Sequence, residues 1–159
     1  MTGINGSHDS INQGRLHLVR LAAEKRLKPV VLEIERRMIK RFAEAVGDPN
    51  QLRHSESNRV KLGRSNIMPP LMFCTPMMLG MPVDPEFSGH FERGLFGSWS
   101  IRLFQDVHIG DVITSSTRVT NVKERKGELG MMVLIDYATE HRKESGQLVA
   151  FSEGTIIHY

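Results

Sequence analysis

The stretch Gly47-Asp48-Pro49-Asn50-Gln51-Leu52-Arg53-His54 (GDPNQLRH) puts an acid and a histidine on one irregular loop directly after an amphipathic helix. The helix reads from its pattern: Met38, Ile39, Phe42, Ala43 and Val46 form an apolar stripe, while Arg36, Arg37, Lys40, Arg41 and Glu44 take the other face. Gly47 is where it should stop. Asp48-Pro49-Asn50 is turn chemistry, because proline fixes its own φ and Asp and Asn side chains bond nearby amides. Two readings stand at this point. Asp48 ends a helix and His54 opens the next short segment, or a carboxylate and an imidazole are held close enough to exchange protons with water.

Outward from this loop the chain divides simply. Residues 1–13 are polar and are expected to be a disordered tail; residues 14–159 are expected to form a single domain with an N-terminal helical extension. That extension, Gly14 to Leu27, carries Leu16, Val19, Leu21, Ala22 and Ala23 in helical spacing and is closed by Pro29. Val30, Leu32 and Ile34 then alternate as a first strand. Ser55 to Leu62 reads as a short polar helix or turn, and Gly63 to Asn66 as a loop. Pro69 to Leu79 is almost wholly apolar and is expected to be a buried central helix. Pro69 and Pro70 suit its first turn, whereas Pro76 removes an internal hydrogen bond and should kink or shorten it.

After a Pro-, Gly- and Phe-rich excursion from Met81 to Arg93, the remainder alternates like sheet. Trp99, Ile101 and Leu103 share a face; Val112 to Val122, Met131 to Tyr137 and Leu148 to Ile157 follow. Hairpin turns are expected at Lys126-Gly127 and at Glu144-Ser145-Gly146. The pattern is α+β, one antiparallel sheet wrapped around one apolar helix.

At 159 residues and 18.0 kDa the chain can bury a core without staples. Its one cysteine, Cys74, excludes an intrachain disulfide and reads as a small buried hydrophobe. No apolar run approaches the ~20 residues of a membrane span and no signal-peptide core is present, so a cytoplasmic protein is expected.

Gly47, Asp48, Pro49, Asn50, Leu52 and His54, followed by Ile67-Met68-Pro69-Pro70, resemble the MaoC-like dehydratase group of hot-dog proteins, which includes R-specific enoyl-CoA hydratases. The N-terminal type of MaoC domain is especially similar, with a loop GDPNPLYH and a next landmark APP. The resemblance runs from about Val30 to the C-terminus and takes in Gly110-Asp111 and the closing Gly146-Gln147-Leu148-Val149-Ala150. It implies a hot-dog fold and a hydratase or dehydratase acting on enoyl or 3-hydroxyacyl thioesters in fatty acid metabolism. The thioester of CoA or acyl-carrier protein is then the substrate, and no cofactor is expected.

By the same resemblance Asp48 and His54 hold and activate the water, Asn50 orders their loop, and oxyanion donors lie at the start of the central helix. Pro69 and Pro70 have no N–H to offer. Donors and substrate contacts would therefore come from Leu71, Met72, Ser65 or Asn66. Hot-dog domains pair edge to edge, so a homodimer, or a heterodimer with a second MaoC-type subunit, is implied. A non-catalytic subunit that holds acyl-CoA for a catalytic partner is the alternative. A hot-dog thioesterase is disfavoured, since no acid lies between Pro69 and Leu79.

Between Arg15 and Arg41 nine basic residues face three acids. A solvated helix face, a site for the phosphates of acyl-CoA or a carrier partner, and nucleic-acid contact all compete; without aromatic interleaving or a groove-reading motif the last is set aside. His90, His108, His141 and His158 are scattered without metal-ligand spacing, so no metal site is expected. Met68, Met72, Met77, Met78 and Met81 suit an adaptable core or an acyl-chain tunnel.

Overall fold

The computed structural model describes residues 27–48, 93–127 and 130–159. Strand β1 (Val30–Glu33) leads into helix α1 (Arg36–Ala45), and β2 (Gly94–Leu103), β3 (Val112–Gly127), β4 (Gly130–Lys143) and β5 (Leu148–His158) follow. They form one antiparallel sheet in the order β1-β3-β4-β5-β2, which leaves β1 and β2 at its edges. The expected helix through Arg26, the Ser55 to Leu62 segment, the apolar run Pro69 to Leu79 with Pro76, the excursion from Met81, and Cys74 lie outside the described residues. Among the described residues no helix is long and apolar enough to cross a membrane.

Alternation explains the sheet. On β3, Ile113, Ser115 and Thr117 are buried while Ser116 and Arg118 are exposed; on β4, Val133, Ile135, Tyr137, Thr139 and His141 turn inward. One end of this inner face carries Ile34, Ile39, Val107, Ile113, Val149 and Ala150, joined by Met38, Phe42, Ile101 and Leu103; the other carries Leu27, Val133, Ile135, Tyr137 and Ile156. Helix α1 therefore lies over the first end. Its Ile39 and Ala43 are fully buried, whereas Arg36, Arg37, Lys40 and Arg41 are exposed, with Arg37 bonded to Glu35 and Lys40 near Glu44. Val46 departs from the expected stripe. It is 55% exposed because it is the C-cap, where the chain has already left the helical path.

Both long strands extend beyond their sequence-based bounds, β3 to Gly127 and β4 to Lys143. The hidden part of β4 is Ala138 to Lys143, whose charged outward residues mask the inward Thr139 and His141. Bulges between Val119 and Asn121, His141 and Arg142, and Phe96 and Ser98 interrupt the ladders and sharpen the sheet's twist.

Candidate functional site

The loop that carries the candidate acid is set by how α1 ends. Asp48 N–H donates to the Ala43 carbonyl at 2.9 Å and Gly47 N–H to the Glu44 carbonyl at 3.2 Å, with Gly47 at φ +65°. This is a Schellman stop, in which glycine takes the left-handed position and the next residue returns its amide to the helix. Asp48 is thus placed by backbone bonds, half-buried, at the point where the chain leaves α1. Gly47→Ala meets no atom within 4 Å, so its cost is backbone strain alone, about 1 kcal/mol. An unfolding free energy lowered by that amount in urea titration checks it.

The other end of α1 is held by Gly110 and Asp111. Gly110 N–H donates to the Ile34 carbonyl and Ile34 N–H to the Asp111 carbonyl, each at 2.9 Å, at the join between β1 and α1. Asp111 Oδ2 accepts from His108 N–H at 2.7 Å and lies 2.8 Å from Lys143 Nζ. Burial pushes this carboxyl up, but the Lys143 ammonium and the His108 amide together outweigh it and hold it below the usual aspartate value of 3.8. A depressed folded value means stabilisation that is present above pH 3.8 and is lost as pH falls through the folded value. Asp111→Asn is expected to cost about 1–3 kcal/mol at pH 7 and to flatten that acid limb, read by urea unfolding at pH 7 and pH 3.

Of the residues singled out in the sequence, Asp48 is described. His54, Asn50, Ser65, Asn66, Leu71 and Met72 lie outside the described residues, and so does the approach of any of them to Asp48. Among the described residues no group of three His, Cys, Asp or Glu is placed to hold a metal ion.

Sequence reasoning passed over a buried polar belt on the inner face. Ser115 Oγ lies 2.8 Å from His141 Nδ1 and Ser152 Oγ 3.0 Å from His141 Nε2, joining β3, β4 and β5, and Thr117 and Thr139 hydroxyls pair at 2.9 Å. His141 is fully buried, and desolvation pushes its imidazole from 6.5 down to about 4. Neutral imidazole offers one donor and one acceptor, and the rotatable serine hydroxyls meet either tautomer. The signal was there in the spacing Ser115, Thr117 and Thr139, His141, polar residues at inward positions of adjacent strands. The belt lies between the two apolar clusters and ties β3, β4 and β5 together, so it orders the platform beneath α1.

The outer face carries a second polar network. Thr155 Oγ1 donates to Asp136 Oδ1 at 2.6 Å, Asn121 Nδ2 to Asp136 Oδ2 at 2.9 Å, and Ser98 Oγ to Thr155 Oγ1 at 3.3 Å. Ser98, Asp136 and Thr155, with Trp99, Ser100, Thr120, Tyr137, Glu153 and Gly154, line a depression of about 390 Å³ that does not include Asp48. Its central carboxylate is already engaged by its neighbours, which makes it a cross-strand tie.

Comparison with known proteins agrees with this architecture. The family described as FAS1-like, dehydratase domain region, matches residues 23–151. A UPF0336 protein of Thermobifida fusca (strain YX) is 29% identical over 117 residues, covering 70% of this chain and 76% of that protein. The ChsH1-ChsH2 complex from Mycobacterium tuberculosis superposes with a TM-score of 0.70 at 15% identity, over 96% of this chain and 93% of the other. The C-terminally truncated HadBC (3R-hydroxyacyl-ACP dehydratase) complex from the same organism gives a TM-score of 0.65 at 21% identity, over 83% and 93%. The chain that stops α1 at Gly47 and crosses its sheet in the order β1-β3-β4-β5-β2 belongs to the FAS1-like dehydratase-domain family, within the MaoC-like proteins of hot-dog fold.

Proposed function

We propose that this chain is a hydratase or dehydratase subunit acting on enoyl or 3-hydroxyacyl thioesters of CoA or acyl-carrier protein, with Asp48 and His54 activating the water and Asn50 ordering their loop. The observation that carries the reading is the Schellman stop, which delivers Asp48 on a backbone-fixed turn at the start of GDPNQLRH, in a chain of dehydratase family. Hydration needs a base to take a proton from water as its oxygen bonds to C3, a proton returned to C2, and donors for the enolate oxygen between them. Asp48 with His54 would supply the first two. The donors would come from the amides of Leu71 or Met72, or from Ser65 or Asn66. Water is the sole co-reactant, so the step requires no cofactor.

A second hot-dog chain, identical or different, would pair on β2. That edge is ten residues long, against four for β1, and exposes Leu95 and Phe96 at 48% and 53%. Long edges with exposed apolar side chains are templates for pairing. A second reading, a substrate-holding subunit beside a catalytic partner, draws support from the similarity to two structures that are themselves complexes of named components. The test is loss of conjugated-thioester absorbance with the purified chain, across short, long and branched enoyl-CoA substrates. Turnover supports the first reading; inactivity of folded protein across all of them rejects a self-sufficient hydratase and leaves a partner-dependent or purely substrate-holding subunit.

A further inference from the structure

Helix α1 begins with little help from its own side chains. Its N-cap, Glu35, makes no side-chain cap bond, and the first turn carries no acid but starts Arg36-Arg37, whose charges oppose the positive end of the helix dipole. The turn before β3 holds that start from outside. Gly110 and Asp111 exchange backbone bonds with Ile34, the residue before the cap, and the Asp111 carboxylate closes its own turn by accepting from His108 N–H. The same Oδ2 lies 2.8 Å from Lys143 Nζ at the end of β4, where Glu144 N–H donates to the Val112 carbonyl at 3.2 Å, and 3.8 Å from His108 Nδ1. The side chains of Asp111 and Lys143 are only 22% and 21% exposed. A pair so withdrawn from water contributes little net stability relative to an apolar replacement, and it fixes one geometry.

That geometry reaches Asp48 through α1, which is ten residues and therefore about 15 Å long. Ile39 and Ala43 press one face of the helix onto the sheet, which resists lifting and rolling, while the bonds at Ile34 resist sliding along its axis. Asp48 N–H is bonded back to Ala43 in the last turn, so the residue moves with the helix. We propose that Lys143, by holding Asp111, is a positioning residue for Asp48: it sets where α1 starts and so where the carboxylate at its other end lies. The catalytic consequence rests on the thioester reading above. A base misplaced by about 1 Å from a distance can cost on the order of a hundredfold in rate, so a hold at the far end of α1 matters to chemistry at Asp48.

The test separates position from stability. Lys143→Met keeps the stem and loses the ammonium, Lys143→Arg keeps the charge, and Asn121→Ala, which removes a cross-strand bond to Asp136 on the outer face, serves as the control for lost stability. In ¹⁵N-labelled protein, amide exchange at Gly47 and Asp48 is expected to quicken roughly three- to tenfold in Lys143→Met and to stay near wild type in Lys143→Arg and Asn121→Ala. With enoyl-CoA, scored on folded protein, Lys143→Met is expected to lose about tenfold in kcat with KM changed by less than about twofold, and Lys143→Arg to recover most of the loss. Unchanged exchange at Gly47 and Asp48 in Lys143→Met overturns the proposal, as does a loss of kcat that Asn121→Ala reproduces. Quickened exchange with kcat unchanged overturns the bearing of Lys143 on catalysis while the thioester reading stands. If the wild-type chain alone is inactive, the catalytic reading loses its support, and the exchange comparison decides by itself whether Lys143 places Asp48.

Discussion

Asp48→Asn is expected to lower enoyl-thioester hydration by about two to four orders of magnitude, the usual range for removing a general acid-base group. The substitution isolates the chemistry well. Asp48 joins the Schellman stop through its backbone N–H, which asparagine keeps, and asparagine is nearly the same size. The unfolding midpoint of the variant is measured beside its rate, so that loss of activity is scored on folded protein. Because water activation belongs to the transition state, the loss should appear in kcat, with KM little changed. Equal rates for wild type and Asp48→Asn would remove Asp48 from the chemistry. If activity arises only with a second subunit and survives Asp48→Asn, the substrate-holding reading is the correct one.

Acidification from pH 6.5 to pH 4 is expected to remove about 3 kcal/mol of stability through His141 alone. Its imidazole titrates at 6.5 in the unfolded chain and at about 4 when buried, so between those values the unfolded state binds more protons. The stabilisation is complete above pH 6.5, falls by at most ~1.4 kcal/mol per pH unit as pH drops, and changes no further below about 4. Burial pushes His158 in the same direction, so the total slope contains both. Asp111 acts lower, below the ordinary aspartate value of 3.8. His141→Gln separates them. An amide can still bond Ser115 and Ser152 but does not titrate, so the variant is expected to be less stable at pH 7 and to lose the His141 share of the slope. Urea unfolding at pH 7, 5.5 and 4.5 reads this directly, and an unchanged slope in the variant would sink the assignment.

These two residues mark how far the sequence could be read. Asp48 was legible because turn and helix-stop chemistry are local: Gly47, Pro49 and Asn50 constrain the backbone within a few residues of themselves. His141 was not, because its role depends on Ser115 and Ser152, which lie 26 and 11 residues away in the chain and meet it only across strand register. In the sequence it stands among Glu140, Arg142 and Lys143 as one of several scattered histidines without metal-ligand spacing.

By itself, then, the amino-acid sequence determined the elements of this protein and their inward faces: α1 with its stop at Gly47, the alternation of β2 to β5, and the landmark loop of its family. These follow from periodicity and backbone preference, which act over neighbouring residues. Tertiary structure alone decided the strand order, the clamp of Asp111 on Lys143 and His108, and the burial of His141 between two hydroxyls. Each of these needs partners from distant strands at defined register, and it is desolvation at those junctions, absent in the unfolded chain, that gives the groups their altered chemistry.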